Sequence, residues 1–521
     1  MPRHHCLPAR PALSNPLRIF TLGVFLASAA GSGGPLEAAN ATGGAAGDTV
    51  AAVAAVAADG AERVAFVREK LAAGELRPAY AICDSLRKAG AGDGELVRIE
   101  GEIHWLAGSA GALAVADSLR ARGDDLAAEA LLLKVDLLLG RPHVRERLRE
   151  LEAAAPGDPG LRLVRWLLEL DSGSWEEARR SVTKVARGVD CAYVPATALM
   201  LAAVDRDSTA AADAAEVMEA QDIWLLTGLR RKVAAGALFS GPCRVQGRRE
   251  LPYVDCRPYM CVRLTAADGH QVTLTLDTGT GSGLLTLHGQ ALGEALAGPE
   301  VLRLTDGIQY HYMDGPADVV IKRVDFADPP VRGRPVESFD GRLEDVDGCV
   351  SPFAFPGAAV TVDAAAGRVW LRDRDDLAAH VAALDPDRSA VVPFVRRGGW
   401  IFVPVRLNGH EVLLMLESGS RDVNINSLAA RRLGIETYRS TSTWRGEEHE
   451  VTRADLTVEI GGLTYRCPDA FVTGYVLGNN LTGLAGAGDL GPDFLRHYRW
   501  TIDPFDDRLI LEQLPIAGDG S

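Results

Sequence analysis

Cysteine is scarce in this chain, eight in 521 residues. That scarcity excludes a scaffold built on disulfides. Cys256 and Cys261 lack the spacing of a zinc knuckle, and no second pair answers them. No stretch concentrates enough Lys and Arg to suggest a nucleic-acid partner, and the formal charge is −15. Beyond the N-terminus no apolar run is long enough to cross a bilayer. A serine nucleophile elbow and the paired histidines of a metalloprotease helix are both missing. These absences remove several enzyme classes and leave a large acidic protein whose chemistry must come from other residues.

The 47% hydrophobic and 24% charged content is that of a globular protein, and the length suggests several domains. Residues 1–29 read as a secretory signal. Arg3, Arg10 and Arg18 form a basic region, Ile19 to Leu26 an apolar core, and Ala27-Ser28-Ala29 a small-residue cleavage site. Export to a periplasm or the outside is expected, with a membrane anchor as the alternative if the signal stays uncleaved. Cleavage removes Cys6 and leaves seven cysteines, an odd number, which read mainly as buried free thiols. Residues 30–60, rich in Ala and Gly, read as a flexible linker.

From residue 61 to 239 the pattern is helical, with apolar residues three and four apart, as in Leu96, Ile99, Ile103 and Leu106. Gly74, Gly108, Gly140 and Gly173 punctuate it at intervals of 34, 32 and 33 residues. Ala79 follows Gly74, Trp175 and Ala178 follow Gly173, and Pro156 closes one unit. The period resembles the tetratricopeptide repeat, which implies helix hairpins stacked in a curved solenoid with a surface for a protein partner. A non-repeating helical bundle is the alternative.

After Ser240 the texture turns to β-branched alternation, as in Val272-Thr273-Leu274-Thr275-Leu276 and Ala317-Asp318-Val319-Val320-Ile321. This half of the chain repeats itself. Gly269-His270 through Leu276-Asp277-Thr278-Gly279-Thr280 recurs 140 residues later as Gly409-His410 through Leu416-Glu417-Ser418-Gly419-Ser420. At the same offset Thr361-Val362-Asp363 matches Thr501-Ile502-Asp503, Arg368 and Leu371 match Arg508 and Leu511, and Ser351-Pro352 matches Gly491-Pro492. Val262-Arg263-Leu264 reads as the counterpart of Val405-Arg406-Leu407, with three extra residues in the first turn. Two lobes of one all-β fold are therefore expected, at 250–375 and 390–515. The expected whole is multidomain, α plus β.

The Asp277-Thr278-Gly279-Thr280 turn after an apolar strand resembles the active-site turn of retropepsin-like and pepsin-like aspartic proteases. The segment Asp489-Leu490-Gly491-Pro492-Asp493-Phe494-Leu495, followed by Thr501-Ile502-Asp503, is similar to the closing segment of bacterial members with two such lobes. The resemblance implies a catalytic pair, Asp277 and Glu417, that shares one proton because two adjacent carboxylates resist ionising together. It implies that Gly279 and Gly419 let the lobes approach, that Thr278 and Ser418 bond across the interface, and that Thr280 and Ser420 orient the outer carboxylate oxygens. It places Tyr310 and Tyr312 where the family carries a substrate-covering flap. A peptide or protein is the implied substrate, and the chemistry calls for no cofactor or metal.

Glu417 stands where the family carries Asp. An exported peptidase is thus one reading, and a peptide-binding module that does not cut is the other. Assembly through the helices is a third. Gly486-Ala487-Gly488-Asp489-Leu490-Gly491 fits a dinucleotide fingerprint as a string but lacks the helix and later acid that binding needs. Glu447-Glu448-His449-Glu450 reads as a charged hairpin, and His270 and His410 as solvated hairpin positions.

Overall fold

A computed structural model describes residues 64–68, 76–88, 94–171, 243, 245–256, 259–280, 285–308, 317–340, 346–397, 400–420, 423–444, 447–473 and 486–514. The signal at 1–29, the linker at 30–60, Gly74, Gly173, Trp175, Ala178, Cys191, Tyr310 and Tyr312 lie outside the described residues. Among the described residues no helix is long and apolar enough to cross a membrane. Among the described cysteines, Cys256, Cys261 and Cys349 are free thiols.

The described N-terminal region includes the helices α1 (Leu76–Lys88), α2 (Gly94–Leu106), α3 (Gly111–Ala121), α4 (Asp125–Leu138), α5 (Val144–Ala154) and α6 (Pro159–Asp171). The apolar spacing of α2 puts Leu96, Ile99, Ile103 and Leu106 into the core, as the periodicity requires. Trp105 of α2 is buried and donates its indole N–H to the Lys134 carbonyl of α4 at 3.1 Å, tying alternate helices together. At the start of α6, Pro159 occupies a position that needs no N–H, and Asp158 accepts from Leu161 N–H at 3.0 Å. Gly108 and Gly140 follow α2 and α4 with φ of 60° and 73°, the left-handed conformation that ends helices at glycine.

The first β lobe contains β1 (Arg248–Cys256), β2 (Tyr259–Ala266), β3 (Gln271–Leu276), β4 (Leu285–Leu287), α7 (Gln290–Ala295), β5 (Glu300–Ile308), β6 (Ala317–Asp328), β7 (Val331–Phe339), β8 (Gly348–Val350), β9 (Ala359–Asp363) and β10 (Arg368–Arg372). Helix α8 (Arg374–Ala382) then leads to the second lobe. That lobe contains β11 (Ser389–Pro393), β12 (Val395–Arg397), β13 (Trp400–Leu407), β14 (His410–Leu416), β15 (Asn424–Asn426), α9 (Ser427–Leu433), β16 (Tyr438–Trp444), β17 (Glu447–Ile460), β18 (Leu463–Thr473), β19 (Gly488–Leu490), α10 (Pro492–Leu495), β20 (Tyr498–Asp503) and β21 (Arg508–Gln513).

The two lobes share one strand order. It runs β2-β3-β8-β4-β7-β6-β5 in the first and β13-β14-β19-β15-β18-β17-β16 in the second, each curled by a further pairing, β2 with β6 and β13 with β17. The two parallel pairings also match: β3 with β8 and β4 with β7 answer β14 with β19 and β15 with β18. Both inner faces are apolar and buried, from Leu274 and Leu276 in one lobe to Leu414 and Leu416 in the other. A shared sheet, β11-β21-β20-β9-β10-β1, joins the lobes. At its centre Thr361 pairs with Thr501, and their hydroxyls meet at 2.8 Å. Residues 140 apart thus face each other across an approximate two-fold axis.

One expected alignment is out of register. Leu264 pairs with Val272 and Val405 with Val412, so Leu264, not Val262, is the counterpart of Val405. The second hairpin closes on Asn408-Gly409, whose φ values of 46° and 84° make the two-residue turn that fits strand twist. The first turn is one residue longer, since Ala266 N–H still pairs with the His270 carbonyl at 2.8 Å. Side chains alternate faces with period two, and a shift by two hides in the alternation.

The helical region packs on the second lobe through its two glycine turns. Leu413 N–H donates to the Leu139 carbonyl at 2.9 Å, and Leu428 N–H to the Gly108 carbonyl at 3.0 Å. A Cβ on Gly140 would collide with Leu413, and one on Gly108 would stand 3.3 Å from Asn426. Arg432 of α9 makes a two-pronged bond to the buried carboxylate of Asp136, at 2.9 and 2.8 Å.

Candidate active site

Strand β3 ends at Leu276 and β14 at Leu416, and each delivers an acid into the interface between lobes. The strand ends are held alike: Asp277 N–H donates to the Val350 carbonyl at 2.9 Å and Glu417 N–H to the Leu490 carbonyl at 3.0 Å. The next residues lock the lobes together. Thr278 N–H donates to Ser418 Oγ at 3.0 Å, and Ser418 N–H donates to Thr278 Oγ1 at 2.9 Å. Each hydroxyl passes its own proton onward across the interface, Thr278 to the Leu416 carbonyl at 2.5 Å and Ser418 to the Leu276 carbonyl at 2.7 Å. Both side chains are fully buried, so every polar atom of this four-bond lattice is satisfied.

Each glycine of the turn lies against the opposite acid. A Cβ on Gly419 would stand 2.5 Å from Cγ of Asp277, and one on Gly279 would collide with the Glu417 carboxyl. Gly279 N–H donates to Asp277 Oδ1 at 2.7 Å, and Gly419 N–H to Glu417 Oε1 at 3.0 Å. The hydroxyls of Thr280 and Ser420 donate to the main-chain carbonyls of Asp277 and Glu417, at 2.8 and 3.1 Å, and brace the turn. A short turn favours this contact, because a hydroxyl three residues on lies over the acid's own carbonyl.

The Asp277 and Glu417 carboxyls approach each other across the interface, each lying against the opposite turn glycine. Two carboxyls so placed resist ionising together, so the pair favours one shared proton. Burial raises both acids above their ordinary range. For Asp277 the rise is opposed by the neighbouring Glu417 carboxyl and by hydrogen bonds from the Gly279 and Thr280 amides. For Glu417 it is reinforced by the charges of Asp277 and Asp489, and its carboxyl lies well above the usual glutamate range. The surroundings therefore favour the proton on Glu417 and the charge on Asp277, within a pair that titrates as a unit.

Three neighbours were not among the expected site residues. Trp400, buried at the start of β13, donates its indole N–H to the Gly279 carbonyl and so clamps the first-lobe turn from the second lobe. Asp489 and Cys349 occupy matching places on β19 and β8 beside the acid strands. Asp489 belongs to the closing segment, where the resemblance gives it no role. The 140-residue offset pairs it with Cys349, but only the strand pairing puts it beside Glu417. No sequence signal points to Trp400.

The remaining expectations fall elsewhere. Ser351, in place of the glycine at 491, caps a one-turn helix at Pro352–Ala354 by accepting from Phe353 N–H at 3.3 Å. Gly491 has an ordinary φ of −85°, so the serine costs this turn nothing. Gly488–Leu490 is a strand rather than a phosphate-binding turn. His270 is exposed and 3.1 Å from Asp268, while Glu450 in the β16–β17 hairpin pairs with Arg439 at 2.9 Å.

No protein-family model matches the chain, and no curated protein matches it. Among solved structures, the aspartic proteinase from Irpex lacteus aligns with 52% of this chain and 99% of its own, at 12% identity and a TM-score of 0.33.

Proposed function

We propose that the chain is an aspartic-type peptidase in which Asp277 and Glu417 hydrolyse a peptide bond through an activated water. The observation that carries this reading is the placement of two half-buried carboxyls toward each other across the interface, each lying against the opposite turn glycine, where they resist ionising together and favour one shared proton. That is the protonation state acid–base hydrolysis needs.

In the first step Asp277 takes a proton from water as the water oxygen bonds to the peptide carbonyl carbon. Glu417 gives its proton to the carbonyl oxygen. In the second step the tetrahedral diol collapses. One hydroxyl returns its proton to Glu417, Asp277 passes its proton to the leaving nitrogen, and the C–N bond breaks. The pair ends with one proton, as it began. The extra methylene of Glu417 is taken up without moving the backbone, since its amide bond to Leu490 matches that of Asp277 to Val350 within 0.1 Å.

The fuller reading is an exported enzyme whose helices, as a repeat solenoid, hold a protein partner or substrate. The rival is a module of the same fold that grips an extended peptide without cutting it. Cleavage of an unfolded protein by the purified chain, compared with Glu417→Gln and Glu417→Asp, separates them. The peptidase reading expects cleavage lost in Glu417→Gln, by about a thousandfold, and lowered in Glu417→Asp. Peptide binding without turnover at acid and neutral pH would support the rival, and a large gain in Glu417→Asp would mean that the natural residue impairs the site.

A further inference from the structure

Asp489 is a buried acid that the hydrolysis above does not use. On β19 it pairs with Met415 of β14, and partners in register share a face. Glu417 lies two residues beyond Met415 and therefore on that face too. On its other side Asp489 pairs with Asn424 of β15, whose Nδ2 donates to Asp489 Oδ2 at 2.9 Å. Asn424 Oδ1 is buried with no hydrogen-bond partner among the described residues. An amide oxygen in that position needs a donor, and a carboxylate cannot supply one. A protonated Asp489 can.

The first lobe has the same arrangement without the acid. Cys349 takes the place of Asp489 and Thr286 that of Asn424. The second lobe alone has a carboxyl there. The groups facing Asp489 are Met415 and Glu417 from β14 and Asn424 from β15. The nearest cation along the row is Arg453, which stacks 3.6 Å over the Phe471 ring and donates to the Asp469 carbonyl. No Lys or Arg contacts Asp489 among the described residues.

We propose that Asp489 is a positioning residue that holds a proton against Asn424 in mildly acidic solution and sets the pH at which Glu417 releases its own. When Asp489 ionises, its charge opposes ionisation of Glu417 and keeps the shared proton on the pair to higher pH. Burial, with no cation to offset it, pushes the Asp489 carboxyl up to about 6. The catalytic consequence rests on the peptidase reading, whereas the protonation itself does not.

An acid whose folded value lies near 6 and whose unfolded value lies near 3.9 binds more protons folded than unfolded between those values. Its contribution to stability is greatest below about pH 4 and is lost as pH rises through about 6.

The test compares the melting temperature of the natural chain, Asp489→Asn and Asp489→Leu between about pH 4 and 8, and then their cleavage profiles. Asparagine mimics the protonated acid and offers Asn424 Oδ1 an N–H. Relative to Asp489→Asn, the natural chain should lose melting temperature as pH rises through about 6. Asp489→Leu should melt lower than Asp489→Asn at every pH. In the cleavage profile, Asp489→Asn should move the alkaline limb to lower pH by about one unit and leave the acid limb in place. A difference between the natural chain and Asp489→Asn that does not vary with pH overturns the proposal. So does an Asp489→Asn variant no more stable than Asp489→Leu. If Asp489→Asn fails to fold, asparagine does not replace a protonated acid and the proposal falls. Should the melting curves behave as stated while no variant cuts peptide, the peptidase reading fails and the protonation of Asp489 stands.

Discussion

Leu413, on the strand that carries Glu417, donates its N–H to the carbonyl of Leu139 in the helical region at 2.9 Å. The counterpart in the first lobe is Thr273, whose N–H donates to Asp347 Oδ2 at 2.7 Å within its own lobe. Ala487 stands where Asp347 would be and has no side chain to offer. The helical region thus completes a hydrogen bond that the second lobe has lost, and it does so four residues from Glu417. An orphaned buried N–H costs about 1–3 kcal/mol.

Gly140→Ala should therefore weaken the second lobe as well as the helices. The substitution puts a side chain at a φ of 73° and drives a Cβ into Leu413. We expect a loss of about 1–3 kcal/mol, read as a lower melting temperature, and faster proteolysis between helices and lobe. Arg432→Ala should act in the same direction by about 2 kcal/mol, since it strips Asp136 of a two-pronged partner that solvent partly screens. Unchanged proteolysis in both variants would mean that the interface is dispensable.

Ser418→Ala should destabilise the contact between lobes by about 2–4 kcal/mol, because it orphans the Leu276 carbonyl and the Thr278 N–H at once. Thr278→Val should do the same from the other side. The two belong to one lattice, so the double variant should lose less than the sum. Chemical denaturation of the four proteins checks this, and additive losses would show that the bonds act separately.

Gly279→Ala and Gly419→Ala each place a methyl group against the opposite carboxyl. A displacement of about 1 Å at the reacting groups costs about a hundredfold in rate. Both variants should keep the far-ultraviolet dichroism of the natural chain and lose cleavage on that scale, and cleavage within a few-fold of normal would contradict the close approach.

The cleavage profile should be bell-shaped. At low pH Asp277 is protonated and cannot act as base, and burial moves that limb above the ordinary aspartate value of about 4. At high pH Glu417 loses the proton it must donate, at a value well above the usual glutamate range. Rates across about pH 3 to 8 should peak above about pH 4, and a maximum below that would reverse the assignment of base and acid.

Much of this was legible in the residues. A repeat at one offset, carried by Asp277 and Glu417, Thr361 and Thr501, and Ser351 and Gly491, marked out two lobes that the strand orders then matched. The helix spacing of Leu96, Ile99, Ile103 and Leu106 gave a buried face. Other features depended on three-dimensional pairing. Asp489 meets Glu417 through a parallel pairing of β14 with β19, strands about seventy residues apart with no turn to link them. Leu139 reaches Leu413 through backbone groups, which every residue carries and no sequence distinguishes. The slip of Val262 against Leu264 came from alternation itself, since both residues face inward.

The most direct measurement is cleavage of an unfolded protein by the natural chain and by Asp277→Asn, purified alike and shown to be equally folded. The account predicts cleavage by the natural chain at acid pH and a loss of about a thousandfold or more in the variant. Equal cleavage by both proteins would contradict it.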